Sequence, residues 1–459
     1  MGRLNTLLAA AVWSGAQLLA TPGSAAAQTL REGVGIALSQ YPTILAAQAR
    51  KDAAESDITR AQGAHWPQVA WSGTQSAYST GNVANNWIQS PTVNLNVWSG
   101  GKIEADVDRS KALAEAGKQQ QRLTRDDVAM LATEGYLNWA KAIALVGLAR
   151  KNVAYHEKIR ANLAIIAAVD VGRRIDLDQA EVRLENANLS LQQREAEKAI
   201  AALRLDRMLL SQMPSAPAGI DHLPGVLPAT IAQALADIND KHPAIALQIA
   251  QIDAAKANVR TARSQHLPNV SVSYGKQVYQ GSGQGDYVAQ INVSVPIFTG
   301  GSATGATDTA LAQLQAAEFD LQDLRLTLRE KLLSAWTDAS SAKGRGELGV
   351  RQSKTAQTLV EGYESQFKIG RRSLLDLLNV QSDLYTYQSN TVIAQFDLRV
   401  AQSRILAASG KLASSYAGAR PELPDLGSSR GRLQLVNPDQ GASAHDAMPV
   451  TVAASYSAK

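Results

Sequence analysis

The chain has 459 residues, a formal net charge of +4 and no cysteine. The lack of cysteine excludes disulfides, thiolate catalysis and cysteine metal sites, and it leaves no cysteine that a lipid anchor could modify. Lys and Arg alternate with Asp and Glu along helical stretches. The mild positive charge therefore indicates solvated helix faces and predicts no nucleic-acid partner. With only four Phe and a composition rich in Ala, Leu and Gln, the chain favours long helices over a β-sandwich.

Residues 1–27 have the layout of a secretory signal peptide. Arg3 provides a basic start, Leu7–Leu19 an apolar run, and Ala25–Ala27 a small-residue cleavage site. We therefore expect an exported protein whose mature chain begins near Gln28. The remaining sequence has no apolar run of about eighteen residues, so any part of it that spans a membrane would have to consist of strands.

The rest of the chain contains one unit twice. Matching segments recur in the same order about 200 residues apart. The matches are His65-Trp66-Pro67-Gln68-Val69 with His266-Leu267-Pro268-Asn269-Val270, Val97-Trp98-Ser99-Gly100-Gly101 with Ile297-Phe298-Thr299-Gly300-Gly301, Trp139 with Trp336, and Gly172-Arg173-Arg174 with Gly370-Arg371-Arg372. The sequence therefore divides into a first repeat at 28–212, a linker at 213–230, a second repeat at 231–417 and a tail at 418–459 that we expect to be disordered.

Each repeat is predicted to begin with a helix and two strands. The helices are expected over Leu30–Ala64 and Ala244–Gln265, and each precedes a proline that forces extended backbone. Apolar residues that alternate with polar ones then predict two strands in each repeat. These strands are expected near 66–79 and 88–98, and near 268–280 and 287–298.

A long helix, a tip and a returning helix complete each repeat. The segments 102–213 and 297–420 contain no proline, and each is long enough for helices that pack side by side as a coiled coil. A Gly-Arg-Arg sequence interrupts each segment, which is typical of the tip of a helical hairpin. The tips are expected at 170–178 and 367–379. In each tip an Asp follows the second Arg by four residues, which fits either a pair within one helix or a contact between hairpins.

The predicted strands have about the 9–11 residues that a membrane-spanning strand needs. Trp66, Trp71, Trp87 and Trp98 all fall in the first strand pair, as expected for aromatic girdles at a membrane interface. Four strands cannot close a cylinder, and lipid does not tolerate an open sheet edge, so several chains would have to share one barrel. The same pattern also fits two soluble hairpins packed on helices.

The segment FKIGRRSLLDLLNVQSDLY at 367–385 is similar to the periplasmic tip motif of the TolC-like outer-membrane efflux and secretion channels. The doubled order of elements over about Leu30–Leu412 resembles that family as well. The resemblance implies a mainly α fold with a membrane β-barrel. In such a homotrimer each chain adds four strands to a twelve-stranded barrel in the cell outer membrane, and long helices form a tunnel into the periplasm.

The resemblance implies a passive exit duct, not an enzyme, that is opened by a periplasmic adaptor protein and an inner-membrane ABC or proton-driven transporter. The tip segment favours type I secretion of a protein such as an adhesin or toxin, and the alternative cargo is the small molecules of multidrug efflux. A soluble periplasmic coiled-coil adaptor or scaffold is the alternative from a different class. The sequence predicts no catalytic site, cofactor or metal site, since the six histidines lack the spacing of a zinc motif.

The resemblance also places a pore constriction and the tip turns. Asp376 corresponds to a pore-lining aspartate that forms a ring in the trimer. Asn379 stands where the family pattern has a second aspartate, which halves the charge expected of that ring. Gly172 and Gly370 correspond to the glycines of the two tip turns.

Four further residues correspond to the contacts of a gate. Arg372 matches an arginine that pins the closed state against the neighbouring helix pair, and Asp178 matches an aspartate that accepts such a pin. Phe367 stands where the family has a tyrosine, so the hydroxyl contact of that tyrosine cannot form here. Leu177 replaces a threonine and leaves Arg372 without that partner.

Overall fold

A computed structural model describes residues 29–75, 87–218, 220, 223, 225–278 and 285–416. The expected signal peptide at 1–27 and the tail at 418–459 lie outside the described residues, as do 76–79 and 279–280 of the predicted strands. The described part is mainly helical and has one small sheet, which confirms the predicted fold class.

The first repeat has four helices and two strands in its described part. They are α1 Leu30–Gln40, α2 Pro42–Gln62, β1 Gln68–Gln75, β2 Trp87–Trp98, α3 Lys102–Val169 and α4 Arg174–Leu209. The prediction of one helix over Leu30–Ala64 is wrong, because the chain breaks at Tyr41, whose backbone is extended. Pro42 causes the break, since it has no backbone N–H and disfavours helical backbone in the residue before it.

The second repeat follows the same order. Its described elements are α5 Ile231–Ala236, α6 Pro243–Ser264, β3 Asn269–Val278, β4 Gly285–Ser294, α7 Ser302–Lys368, α8 Leu374–Ala408 and α9 Leu412–Tyr416. The strand predicted near 287–298 begins earlier and is wrong over 295–298. Pro296 lies in this segment and cannot donate a backbone hydrogen bond to a neighbouring strand.

The four strands form one antiparallel sheet in the order β1-β2-β3-β4. β2 pairs with β3, so the sheet joins the two repeats, and a register shift interrupts this pairing between Asn96 and Trp98. The outer strands β1 and β4 each pair on one side within the described sheet. Both ends of the sheet therefore have an edge whose backbone groups are open to another strand.

The helices pack in two rows that share α3 and α7. Near the sheet the order of packing is α2-α3-α6-α7, and beyond the middle of the long helices it is α4-α3-α8-α7. α3 has 68 residues and α7 has 67. At 1.5 Å per residue each long helix spans roughly 100 Å. None of the described helices contains an apolar stretch that would carry it across a bilayer.

The main hydrophobic core lies where the two rows meet, in the middle of the long helices. α1, the start of α2, α3, the end of α4, α8 and α9 contribute to it. Its buried members are Leu30, Val34, Ala37, Leu38, Ile44, Val128, Ala129, Ala132, Tyr136, Leu137, Trp139, Ala140, Leu205, Met208, Leu209, Phe396, Leu406, Leu412, Ala413 and Tyr416. This core fixes the long helices at one level and leaves the sheet and the tips at opposite ends of them.

Candidate functional site

The sheet has one apolar face and one polar face. One row across the four strands, in pairing order, is Val69, Val93, Tyr274 and Ala289, and the adjacent row is Gln68, Asn94, Ser273 and Gln290. Since neighbouring residues of a strand point to opposite faces, these rows lie on opposite sides of the sheet. Val69, Tyr274, Ile291 and Val293 are all exposed on the apolar face. An exposed apolar face of this size is unusual for a protein in water and indicates contact with another apolar surface.

The polar face consists mainly of uncharged hydrogen-bonding groups. Its amides and hydroxyls are Gln68, Ser72, Thr92, Asn94, Asn96, Asn269, Ser271, Ser273, Gln290, Asn292 and Ser294. Asn292 Nδ2 donates to Ser273 Oγ at 3.2 Å, and Ser72 Oγ donates to the backbone oxygen of Ser90 at 3.1 Å. Such a surface binds water without carrying a strong charge, as expected of the lining of an aqueous pore.

Exposed aromatic residues mark the end of the sheet that joins the helices. Trp66 precedes β1, Trp98 ends β2, and Phe298 follows β4, and all three are exposed. Trp and Tyr prefer membrane–water interfaces because their rings are amphipathic. The position of these rings is that of an aromatic girdle on the helical side of a membrane.

The two predicted tips lie at the ends of the long helices and turn in different ways. After α3, Asp170 Oδ1 accepts a hydrogen bond of 2.9 Å from the N–H of Gly172, and a 3₁₀ turn at Val171–Arg173 leads into α4. Gly172 has no left-handed backbone, whereas Gly370 after α7 has φ +75°. Glycine is therefore required by the backbone at the second tip and not at the first.

A small apolar cluster joins the two hairpins at the tips. Its buried members come from α3, α4 and α8, and they are Ile159, Leu163, Ala180, Leu374, Leu377 and Leu378. Leu177 and Phe367, two of the predicted gate residues, are partly buried and pack against this cluster. These two residues therefore contribute apolar packing between the hairpins.

The predicted gate arginine, Arg372, contacts residues of its own hairpin. Arg372 Nη1 is 3.8 Å from Asp376 Oδ2, and the guanidinium lies 4.1 Å from the ring centre of Tyr363. Arg372 Nε is buried and has no hydrogen-bond partner among the described residues. Asp178 is exposed on α4. The pair expected within the helix at the second tip is therefore present in this chain.

The corresponding pair at the first tip differs from the one expected. A pair within one helix would join Arg174 to Asp178 here, but Arg173 Nη1 instead lies 3.0 Å from Asp176 Oδ2. The spacing changes because the 3₁₀ turn places Arg173 ahead of the first turn of α4. The two Gly-Arg-Arg tips thus share a sequence motif but differ in their ion pairs.

Asn379, predicted at the constriction, makes a contact between hairpins. Its Oδ1 accepts a hydrogen bond of 3.3 Å from Arg183 Nη2 of α4. Further along the same interface Gln381 Nε2 donates to Asn152 Oδ1 at 3.2 Å, and the hydroxyls of Ser190 and Tyr385 are 3.2 Å apart.

This polar layer was not predicted from the sequence, because its members lie about 200 residues apart and no local spacing marks them. Next to it lie two side chains of α3, the partly buried Tyr155 and the buried His156. Burial and the charge of Glu364 raise the pKa of Tyr155 to about 12. Burial and the charge of Arg183 lower the pKa of His156. Tyr155 Oη and His156 Nδ1 are buried without hydrogen-bond partners among the described residues. Burying these unpaired polar atoms costs free energy, which the other contacts between the hairpins must offset.

The outer surface of the tips carries exposed aliphatic side chains beside the arginines of the Gly-Arg-Arg motifs. Exposed aliphatic residues surround both turns, and they are Ile165, Ile166, Val169, Val171, Ile175, Ile369 and Leu375. A patch of this kind at the end of long helices is typical of a docking surface for another protein. Across the described residues there is no group of three or more metal-ligating side chains.

Comparison with known proteins gives a consistent result. The sequence profile of the family described as outer membrane efflux protein matches residues 34–209 and 234–411. Protein CyaE of Bordetella pertussis is 26% identical over 416 residues, which cover 85% of this chain and 86% of the relative. The alkaline protease secretion protein AprF of Pseudomonas aeruginosa is 30% identical over 176 residues, 36% of each chain. The crystal structure of the Campylobacter jejuni CmeC outer membrane channel superposes with a TM-score of 0.72 at 16% identity, over 83% of this chain and 85% of that one.

Proposed function

Because the chain belongs to the outer membrane efflux protein family, we propose that it forms a homotrimeric exit duct that an inner-membrane transporter and a periplasmic adaptor protein open. The protein lies in the outer membrane, and its helical tunnel extends into the periplasm. This location rules out the alternative of a soluble periplasmic scaffold. The family is one of channels, so the chain is not an enzyme.

The two-faced sheet is the observation that carries the proposal. Its apolar face is exposed and meets lipid, while its amide and hydroxyl face lines a pore. The edges of β1 and β4 are open, and unpaired backbone groups in lipid cost several kcal/mol each. Three copies with four strands each close a barrel of twelve strands, in which β1 of one copy pairs with β4 of the next and no edge stays open.

At the other end of the long helices, the tips form the narrow part of the duct. In this proposal Asp376 and Asn379 line the constriction, and three copies give a ring with one carboxylate and one amide per chain. Arg372 and Asp178 hold the closed state, with Leu177 and Phe367 packed beside them. The exposed aliphatic residues around both turns support docking of the adaptor protein at the tips.

The cargo that we favour is a protein secreted by a type I system. The local likeness to a relative named for alkaline protease secretion supports this choice. A largely uncharged pore face also suits an extended polypeptide, which carries both signs of charge along its length. The family description itself supports the alternative, in which the cargo consists of small toxic molecules.

Two measurements test the duct. The mature protein, extracted from outer membranes in detergent, is expected to run as a trimer and to form channels in planar bilayers. A water-soluble monomer that needs no detergent would contradict the proposal.

The cargo needs a separate experiment in a deletion strain. Loss of one secreted protein with normal drug tolerance is expected if the duct belongs to a type I system. Increased drug sensitivity with an unchanged set of secreted proteins would identify the efflux alternative instead. Complementation with the wild-type chain is the control for both results.

A further inference from the structure

The two junctions between sheet and helix have the same backbone. Gly100 and Gly101 have φ angles of +62° and +80°, and their repeat equivalents Gly300 and Gly301 have +62° and +82°. In each case the pair of left-handed residues turns the chain from a strand into a long helix. The local conformation is therefore a property of the repeat, and differences around it must come from the neighbours.

The neighbours of the first junction belong to the second repeat. A Cβ atom added to Gly100 would lie 2.6 Å from Leu267 Cβ and 3.3 Å from the backbone oxygen of Ser264. Leu267 lies directly before the proline that leads into β3. Its side chain covers the backbone at Gly100, so glycine is needed there for close approach as well as for its φ angle.

The second junction has no such cover within the part of the chain that the structure describes. A Cβ atom added to Gly300 would meet nothing within 4 Å in the described part of the protein. The residue that would cover it is the equivalent of Leu267, and in the His-X-Pro match that residue is Trp66. Trp66 lies at the opposite edge of the sheet, before the outer strand β1, and is 70% exposed.

The helices next to these junctions show the same contrast. The opening of α3 is tied to α6 by Asp108 with Arg260 at 2.9 Å and by Arg109 with Asn258 at 3.4 Å. The equivalent part of α7 packs on α6 through Ala310, but it lies at the end of the described row and has no further helix on its other side there. Along α7 from this point, Leu311, Phe319 and Leu326 are exposed. An apolar stripe of this kind on a long helix is expected to pack against another helix.

We propose that Trp66 of one copy packs over Gly300 of the next copy, as Leu267 packs over Gly100 within the chain. The inference rests on the proposed trimer and adds to it the residue pair at the interface. Every junction in the ring is then covered by a large side chain from a neighbouring repeat. Leu267 covers Gly100 within a chain, and Trp66 covers Gly300 between chains. The indole fills the space above Gly300 and moves from an exposed to a buried position.

Two glycine substitutions separate this contact from backbone strain. Gly300→Ala and Gly301→Ala both place alanine at a left-handed position, and neither side chain meets an atom within 4 Å among the described residues of the isolated chain. Only Gly300 lies under Trp66 in the proposed interface. Gly300→Ala is therefore expected to lower the dissociation temperature of detergent-solubilised trimers more than Gly301→Ala does, and Trp66→Ala should remove that difference. Equal shifts for the two glycine variants would overturn the inference.

Photo-crosslinking maps the contact directly. With p-benzoylphenylalanine in place of Trp66, irradiation is expected to link two chains, and mass spectrometry should find the link at Thr299–Ala303. The same group in place of Leu267 is the internal control, because its link to Ser99–Gly101 should stay within one chain. Trimers that crosslink from position 66 to another segment would overturn the inference but leave the duct standing. A protein that forms no trimer at all would overturn both.

Discussion

Buried polar groups of the middle core have hydrogen-bond partners, whereas two such groups near the tips have none among the described residues. In the middle, Thr133 Oγ1 lies 2.9 Å from Tyr416 Oη, and Asp126 accepts a hydrogen bond of 2.7 Å from the backbone N–H of Ala413. At the tips, Tyr155 Oη and His156 Nδ1 have no such partner among the described residues. The middle core has twenty buried members and the tip cluster has six. The helices should therefore stay packed in the middle, whereas less free energy should be needed to change the packing of the hairpins at the tips.

Matched leucine substitutions give the largest expected difference between the two regions. Leu137 of the middle core and Leu378 of the tip cluster are both fully buried. Leu137→Ala is expected to reduce the free energy of unfolding by about 2–5 kcal/mol, because it leaves a cavity among tightly packed helices. Leu378→Ala should cost less, since the tips can rearrange, and it should raise single-channel conductance.

Urea unfolding followed by circular dichroism in detergent, together with planar-bilayer recordings, checks both results. If the two variants lost equal stability and neither changed conductance, the proposed contrast between middle and tip would be wrong.

Asp126 is a buried carboxyl group in the middle of the long helices, and its protonation should change the stability of that region. Burial raises the pKa of its carboxyl group to about 6, although the hydrogen bond from Ala413 acts in the opposite direction. Because the folded state binds this proton more tightly than the unfolded state, the stability that the protonated group gives is lost as the pH rises from about 4 through about 6. Asp126→Asn removes the buried charge and keeps an oxygen acceptor. It is expected to raise the free energy of unfolding at pH 7 by up to about 3 kcal/mol.

Urea unfolding of the wild type and the variant between pH 4 and pH 7 measures this effect. The two stability curves should diverge as the pH rises. Asp126→Ala, which lacks the acceptor, is the control and should be less stable than Asp126→Asn at every pH. Parallel curves for wild type and Asp126→Asn would show that the buried carboxyl does not titrate in this range.

Local sequence signals were enough to predict the long helices and the two faces of the sheet. Proline-free segments of more than 100 residues leave few alternatives to helix, and alternation along a strand assigns its faces without knowledge of its partner. The break at Tyr41 was missed, although Pro42 marks it in the sequence, since proline favours the first turn of a helix.

The contacts at the tips were not predictable in this way. Asn379 pairs with Arg183, and Gln381 with Asn152, across separations of 196 and 229 residues. The Gly-Arg-Arg motif marks both turns, but the side chain of Asp170 makes the first one a 3₁₀ turn. Partners of this kind depend on how two hairpins pack, which no short window of sequence contains.

His156 is a buried titratable group in the interface between the hairpins near the tips. Its pKa is lowered, so the folded protein loses stability as the pH falls through the ordinary value near 6.5. Arg183 of α4 is the charged group that acts on it, while α8 presents the uncharged Gln381 to this layer. Protonation places a second positive charge beside Arg183, so acid should loosen the hairpins and raise conductance. His156→Gln is expected to remove this response between pH 7.5 and pH 5.

Bilayer recordings at the two pH values check the prediction, and His242→Gln is the matched control. Burial lowers the pKa of His242 as well, but its Nε2 lies 3.1 Å from the backbone oxygen of Ala408 and its Nδ1 accepts from Ala244. His242 lies at the start of α6, away from the tips, so its variant should keep the wild-type response. Loss of the response in the His242 variant alone would place the sensor outside the tips.

Substitutions of the predicted gate residues Arg372 and Asp178 are expected to have the smallest effect on stability. An ion pair within one helix, such as Arg372 with Asp376, contributes only about 0.2–0.5 kcal/mol. In a closed trimer, however, any contact between Arg372 and Asp178 of neighbouring hairpins would occur three times around a narrow pore. Arg372→Ser and Asp178→Ala are each expected to raise single-channel conductance with little change in the free energy of unfolding. Arg173→Ser, which removes the pair with Asp176 on the first tip, is the control and should leave conductance unchanged. If all three variants conducted like the wild type, the tips would be held shut by their apolar cluster alone, and the small ion pairs would only stabilise the helices that carry them.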